Sequence, residues 1–260
     1  MVLICFLVAV FACLVGKICG MGGGVIIKPV LDAMGIMSVS AINFISGCTV
    51  IAMSCWSVGS SLVRRESCID WSVSTPLAVG AALGGVLGKS LFAAVAKLFA
   101  DANAAGGVQA ALLFFATLAT LIYTVRKEKI PGRRVQNKLA CALIGLGLGM
   151  LGAFLGIGGG PFNMAVLFYF FSMGTKTAAQ NSLYVILISQ LTGLASVFLS
   201  GSVPSVGLTL LLGMPLFGIL GSEIGGRLNK KLSEKRTTTL FEGAMVLVML
   251  ICVYNFRRLI

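Results

Sequence analysis

Two glycine-rich runs interrupt long apolar stretches of this chain, and they lie 136 positions apart. The first reads Gly-Met-Gly-Gly-Gly at 20–24 and the second reads Gly-Ile-Gly-Gly-Gly at 156–160. Each run stands where a membrane helix would otherwise be expected to continue. Unwound backbone is tolerated in lipid only where protein or trapped water satisfies its N–H and C=O groups. Paired breaks in the two halves of a chain therefore indicate a binding site of the kind that transporters have.

Composition places the chain in a membrane. Of its 260 residues, 58% are hydrophobic and 11% are charged, and the mean hydropathy is +1.02. We therefore expect an all-α polytopic membrane protein. Most of its apolar stretches approach the ~20 residues that cross a bilayer, whereas the segments 25–36 and 161–173 are too short to cross alone. The long stretches are 2–19, 38–62, 72–96, 108–125, 139–155, 178–199, 206–226 and 238–256.

Several function classes are disfavoured by what the sequence lacks. The net charge of +12 does not indicate a nucleic-acid partner, because the basic residues lie in loops between apolar spans. Histidine is absent, and the eight cysteines form no Cys-x-x-Cys pair. There is also no P-loop with its Lys-Ser/Thr ending. We expect no enzyme activity, no metal and no cofactor, and we expect the lipid bilayer itself as a partner.

The two halves of the chain repeat the same features in the same order. Ala-Ile-Asn at 41–43 matches Ala-Gln-Asn at 179–181, and each motif follows its glycine run at a similar distance. We interpret this order as an internal duplication. The predicted organisation is an N-terminal repeat at 1–126, a cytoplasmic linker at 127–138 and a C-terminal repeat at 139–260.

Small-residue ladders also recur, as Gly84-x3-Gly88 and Gly221-x3-Gly225. This spacing lets two helices approach closely in a membrane. The ladders serve either a homodimer interface or packing within one chain, and the sequence leaves both open.

Loop charges distinguish two topologies. If each glycine-broken segment spans the membrane, the lysines and arginines divide 10 to 7 between the two sides. If each segment is instead re-entrant, every half crosses three times and the halves are inverted. The division is then 14 to 3, with Lys97, Arg257 and Arg258 on the poorer side. The positive-inside rule favours the inverted arrangement.

A small-anion site is predicted where the helices that follow the two glycine runs begin. A helix N-terminus offers free N–H groups and the positive end of the helix dipole. Glycine lets this backbone approach a ligand without a Cβ in the way. The alternative is that these glycines only permit tight packing. The glycines assigned to the site are Gly22, Gly23, Gly24, Gly158, Gly159 and Gly160.

Polar side chains near the runs complete the predicted site. Lys28 lies one turn after the first run, where it either adds positive charge or reaches a lipid headgroup. Asn163 lies close to the second run, and Asn43 and Asn181 stand at matched places near the starts of their spans. Neutral amide and hydroxyl donors suit a hydrated oxyanion, although ordinary hydrogen bonds between helices are the alternative. The remaining candidates are Ser46, Ser182 and Gln190.

Ionisable residues within membrane segments are functional candidates by default. Lys17, Lys89 and Glu223 belong to this group. Glu223 precedes Arg227 by four positions, a spacing that predicts a helical ion pair. A proton-carrying role for Glu223 is the alternative.

The motifs together resemble the TauE/SafE family of membrane transporters over nearly the whole chain. The resemblance is carried by the run at 20–24 with Pro29 after it, by Ala-x-Asn at 41–43, by the run 156–160 followed by Pro161, and by 176–183 (Lys-Thr-Ala-Ala-Gln-Asn-Ser-Leu). Residues 225–233 also resemble the family's penultimate loop.

This resemblance implies a secondary transporter in the plasma membrane that moves a small anion, often a sulfur oxyanion or an organosulfonate. We expect alternating access around the two glycine-rich breaks. An anion channel, or a permease for another small organic acid, is the alternative. Saturable flux stimulated from the opposite side distinguishes a carrier from a channel.

Overall fold

The computed structural model describes residues 1–96, 102–157 and 159–259. These residues form ten α-helices and one short 3-10 helix, with no strand among them. The helices are α1 (Val2–Cys19), α2 (Gly24–Met34), α3 (Val39–Val63), α4 (Trp71–Ala96), α5 (Ala102–Arg126), α6 (Lys138–Phe154), α7 (Gly160–Phe171), α8 (Thr175–Leu199), α9 (Leu208–Lys231) and α10 (Glu234–Leu259), with the 3-10 helix at Lys127–Lys129.

The all-α membrane class is confirmed. Seven helices in the described part of the chain are long and apolar enough to cross a membrane, namely α1, α3, α4, α5, α8, α9 and α10. α6 has 17 residues and α7 has 12, so both are shorter apolar helices. The helices that follow the glycine runs, α2 and α7, are both short, as the sequence predicts.

Each half contributes five helices in the same order, and the two halves are intertwined. α1 packs along α9, and α6 packs along α4, so the first helix of each half lies on the fourth helix of the other. α3 also packs against α8, and α5 against α10. The helices bury a common core whose largest fully buried side chains include Phe241, Met53 and Met164.

Glycines make the two cross-half pairs close. At seven glycines of these helices an added Cβ would overlap backbone of the facing helix, so only glycine permits the observed approach, and four of the seven belong to the two ladders. The contact pairs are Gly84 with Leu146, Gly88 with Met150, Gly221 with Val10 and Gly225 with Leu14. Both small-residue ladders are therefore used for packing within the chain, which decides between the two roles that the sequence leaves open for them.

The same contacts give the helix directions. Residue numbers rise together along α4 and α6 and along α1 and α9, so both pairs are parallel. α3 and α8 run antiparallel, because Phe44 at the start of α3 stacks edge-on against Phe198 at the end of α8, with ring centroids 6.1 Å apart.

The chain turns back on itself at the first glycine run. Gly20 has φ +68° and ends α1 in the left-handed conformation that favours glycine. A Cβ on Gly23 would meet Cys13, so α2 starts beside the middle of α1 and returns along it. Ser182 of α8 donates a hydrogen bond to the Gly20 carbonyl at 2.5 Å, which satisfies backbone that the turn leaves unpaired.

One end of the bundle collects most of the basic residues, and we call it the basic end. Lys127 donates to Thr238 (3.3 Å) and the Lys176 amide donates to Glu234 (3.2 Å). These contacts join the 126–138 connection to the starts of α8 and α10. The end of α3 meets the end of α9 in the pairs Arg64–Glu223 (2.9 Å) and Lys230–Glu66 (2.6 Å).

The ion pair predicted for Glu223 is present. Its carboxylate lies 2.9 Å from Arg227 on the same helix and 2.9 Å from Arg64 on α3. Trp56 donates a further hydrogen bond to it at 3.0 Å. Glu223 is therefore part of the contact between α3 and α9.

We predict that Gly84→Ala lowers the thermal stability of the detergent-solubilised protein by about 1–3 kcal/mol, because the added methyl overlaps the α6 backbone. Gly147→Ala is the matched control on the facing helix, where a Cβ would meet nothing within 4 Å. The control should stay within ~1 kcal/mol of wild type. Equal melting temperatures for the two variants would contradict the close contact between α4 and α6.

Candidate anion-binding site

A cavity of about 320 Å³ lies among α2, α3, α4, α5, α6 and α8, and we call it the polar cavity. Its wall includes Ser202 and Pro204 of the α8–α9 connection, so it reaches the end of the bundle opposite the basic end. Four of the residues predicted for the site line it together, from three helices and both halves of the chain. They are Gly24, Asn43, Ser46 and Gln190.

The N-terminus of α2 forms part of this wall. Gly24 is the first residue of α2, and no side chain caps this end of the helix. A Cβ on Gly24 would lie 3.1 Å from Val50 and 3.4 Å from the Ser46 hydroxyl oxygen. The absent side chain therefore leaves the first turn of α2 accessible beside a hydroxyl group, which is the backbone arrangement that binds anions.

Neutral donors face the same space. Asn43 is exposed in the first turns of α3, and no hydrogen bond to another described residue occupies its amide. Gln190 and Ser189 of α8 lie on the opposite wall. Amide and hydroxyl groups of this kind replace part of the hydration shell of an oxyanion without adding a fixed charge.

Two lysines lie at the polar cavity, one in its wall and one behind it. Lys89 of α4 lines it directly and donates to the carbonyl of Gly193 at 2.8 Å. Lys28 of α2 is only 6% exposed and lies behind the wall, where it donates to Gln109 Oε1 at 3.2 Å. Gln109 lines the cavity and in turn donates to the Phe154 carbonyl at 2.7 Å. Because Lys28 is buried against protein, the headgroup role that the sequence left open for it does not fit.

The start of α7 lies next to the start of α2. A Cβ on Gly160 would meet Val25 and, at 3.4 Å, the Met21 carbonyl. Asn163 is buried one turn further on, and its Oδ1 accepts no hydrogen bond from the part of the chain that the structure describes. This oxygen lies close to Gly159, which precedes α7. The two helix N-termini therefore approach each other, but Gly159, Gly160 and Asn163 are not in the wall of the polar cavity.

The other predicted residues lie elsewhere. Gly22 faces Ile186 of α8, with 3.3 Å between an added Cβ and that side chain, and Gly23 faces Cys13. Gly158 and Lys97 are outside the described residues. Ser182 is fully buried and bonds to the turn at Gly20.

Asn181 holds the connection between α3 and α4. Its Oδ1 accepts from the Asp70 amide (2.9 Å) and from the Ser74 hydroxyl (2.5 Å), and its Nδ2 donates to the Cys68 and Thr177 carbonyls. The side chain is fully buried, with its hydrogen-bonding capacity used by these four contacts. Asn181 and Asn43 also occupy different positions on their helices. α3 and α8 both have 25 residues, and they begin at 39 and 175, so equivalent residues should be 136 positions apart. The two asparagines are 138 apart.

A second cavity of about 280 Å³ opens at the basic end, and we call it the basic cavity. Lys17 of α1 lines it and donates to the hydroxyl of Ser57 on α3. Its other charged lining residues are Arg64, Glu66, Lys176, Glu223 and Lys230. Basic side chains thus outnumber acidic ones in this wall. Among the described residues, no group of three or more His, Cys, Asp or Glu side chains is placed to hold a metal ion.

Sequence reasoning missed Gln109 and left Lys89 without an assigned role. Gln109 lies in the first turns of α5 and carries no motif, so only the fold brings it to the cavity. Lys89 had a detectable signal, since it is an ionisable residue inside an apolar span.

Comparison with known protein families identifies the family of this chain. The profile of the sulfite exporter TauE/SafE family matches residues 5–252, which is nearly the whole chain. The chain belongs to the TauE/SafE family. No curated protein and no solved structure matches it significantly. As a TauE/SafE member with seven helices able to cross a membrane among its described residues, the protein is a multi-pass membrane protein of a sulfite-exporter type.

We predict opposite consequences for the two asparagines. Asn181→Leu removes the hydrogen-bond partner of the Cys68 carbonyl, of the Asp70 amide and of the fully buried Ser74 hydroxyl, which should cost about 2–4 kcal/mol of stability. Asn43→Leu removes a cavity donor that makes no hydrogen bond to the described protein, so the melting temperature should change little while anion affinity falls about tenfold.

Melting temperatures measured with and without sulfite separate these effects. If Asn43→Leu unfolds early while Asn181→Leu behaves like wild type, the assignment of the two residues is wrong.

Proposed function

We propose that this TauE/SafE protein is a secondary transporter that moves a small anion, a sulfur oxyanion or organosulfonate such as sulfite, across the plasma membrane. The observation that carries this proposal is the polar cavity, which combines an uncapped helix N-terminus, neutral donors and the ammonium group of Lys89. The same features bind oxyanions in many proteins.

The size of the polar cavity fits a small and partly hydrated ion. A volume of 320 Å³ has room for roughly ten water molecules at ~30 Å³ each. An oxyanion with a few waters would fill this space. One lysine and several neutral donors make binding favourable yet reversible, which transport requires.

The halves are proposed to have inverted topology. α1 and α9 run towards the basic end, whereas α4 and α6 run away from it, so the equivalent helices α1 and α6 point in opposite directions. In this arrangement 14 of the 20 lysines and arginines lie at the basic end. The positive-inside rule then places the basic end in the cytoplasm and the mouth of the polar cavity on the outer side. Each α1–α2 and α6–α7 segment would be a re-entrant hairpin.

Alternating access is proposed to occur around the first glycine run. Lys17 lines the basic cavity and Gly24 lines the polar cavity, so only seven positions of chain separate the two spaces. Between them Gly22 packs against Ile186 and Val50. A rearrangement of this segment would open the site to one side of the membrane or to the other.

An anion channel or a permease for another small organic acid remains the alternative function. Trans-stimulated, saturable flux supports the carrier, and conductance that rises linearly with the gradient supports the channel. A homodimer also stays a prediction, and it would have to use surfaces other than the two small-residue ladders.

We predict that purified protein in liposomes exchanges labelled sulfite in a saturable manner. Gly24→Val should reduce this exchange at least tenfold, because a branched side chain occupies the space beside Ser46 at the start of α2. Gly243→Val is the control, since a Cβ at Gly243 would meet nothing within 4 Å. Both variants should be folded by their thermal transitions. Normal exchange by folded Gly24→Val would show that the anion does not use this cavity.

A further inference from the structure

The polar cavity and the basic cavity are built from equivalent positions of the two halves. The contacts of the glycine ladders align α4 with α9 at a shift of 137 and α6 with α1 at a shift of 136. Under this alignment, three wall residues of one cavity correspond to three wall residues of the other. Gly85, Lys89 and Ala153 of the polar cavity correspond to Ser222, Gly226 and Lys17 of the basic cavity.

Side-chain contacts outside the ladders support the same alignment. Phe6 stacks on Phe217 with ring centroids 4.6 Å apart, and their equivalents Ala142 and Gly80 are also in contact. Ser222 donates to the carbonyl of Met53, while a Cβ on its equivalent Gly85 would lie 3.5 Å from Ser189. Positions 53 and 189 differ by 136, the shift between α3 and α8.

Each cavity has one lysine at this equivalent place, but the lysines come from different helices. In the polar cavity Lys89 belongs to the fourth helix of its half and lines the cavity together with Ala153 of α6. In the basic cavity Lys17 belongs to the first helix and faces Gly226 on α9, where an added Cβ would lie 3.5 Å from Lys17 Cε. A small residue stands opposite the lysine in both pairs.

The two ammonium groups reach equivalent partners as well. Lys89 donates to the carbonyl of Gly193 on α8, and Lys17 donates to the hydroxyl of Ser57 on α3. Positions 57 and 193 again differ by 136. Lys17 and Lys89 thus lie on helices that are not equivalent, but their ammonium groups occupy equivalent places in the two cavities.

We propose that Lys17 and Lys89 are the paired anion-binding cations of the two cavities, with Lys89 binding the transported oxyanion on the outer side and Lys17 binding it on the cytoplasmic side. This inference rests on the proposed function and adds the residues that meet the ion at each end. Two different helices bring a lysine to equivalent places in the two cavities, which points to a role for the position of the charge. Ordinary helix packing requires no lysine there, as the small equivalents Ala153 and Gly226 demonstrate.

The decisive experiment moves Lys17 to the facing helix. Lys17→Ala should raise the sulfite concentration for half-maximal exchange on the cytoplasmic side about tenfold and leave the outer side within about twofold. The double variant Lys17→Ala with Gly226→Lys recreates the arrangement of Lys89 and Ala153, and it should restore cytoplasmic affinity to within about threefold of wild type. The reciprocal variant is Lys89→Gly with Ala153→Lys, read on the outer side.

Lys231→Ala is the control, because it also removes one lysine from the basic end but from outside the cavity wall. An effect of Lys231→Ala as large as that of Lys17→Ala would mean that only surface charge matters. Equal loss on both sides of the membrane, or no rescue by a double variant that melts like wild type, would also overturn the proposal. Lys17→Gln, which keeps the size and polarity of the side chain, replaces Lys17→Ala if the latter does not fold.

Thermal stabilisation distinguishes failure of this inference from failure of the proposed function. If wild type exchanges no sulfite, the proposed substrate class is wrong, and the two lysines are tested by stabilisation with sulfate, phosphate, acetate and chloride. A stabilisation that Lys17→Gln or Lys89→Gln reduces, and that the matching double variant restores, supports the lysine pair. Equal stabilisation of all variants, or none in wild type, overturns it.

Discussion

The close backbone contact of α1 with α9 and of α6 with α4 is the constraint on which the rest of the molecule depends. Both contacts join different halves, and both need glycine because a Cβ would overlap the facing backbone. In a membrane, where lipid tails are as apolar as side chains, such close packing is a main source of helix association. The two cavities lie directly beside these pairs, so the packing that holds the halves together also shapes the proposed transport path.

Much of the fold could be predicted because a membrane imposes simple rules. Apolar length indicated the spanning helices, and the glycine runs indicated where α2 and α7 begin. The register of the duplication was harder to obtain. The motifs at 41–43 and 179–181 suggested that Asn43 and Asn181 are equivalent. The equal lengths of α3 and α8 and the contacts in the cavities instead align the two helices at a shift of 136, which is two positions less than the separation of the asparagines. A three-residue motif is too short to fix a register that packing decides.

The sequence predicted what type of site to expect, but it predicted only some of the residues that line the cavity. Gly24, Asn43, Ser46 and Gln190 meet in one cavity because glycine runs and polar residues inside spans carry a visible signal. Asn181 carries the same signal but binds the α3–α4 connection, since any buried amide must find partners. No sequence motif marks Gln109. The pairing of Lys17 with Lys89 is visible only after the cross-half contacts define which positions are equivalent.

Two inverted halves require the two cavities to open on opposite sides of the membrane, and cysteine labelling measures this directly. Single cysteines are placed at Ser40 in the polar cavity and at Ser60 in the basic cavity, in a variant from which the eight native cysteines have been removed. A membrane-impermeant thiol reagent should label position 40 only from outside and position 60 only from the cytoplasmic side. Labelling of both positions from the same side would contradict two inverted halves that share one anion path.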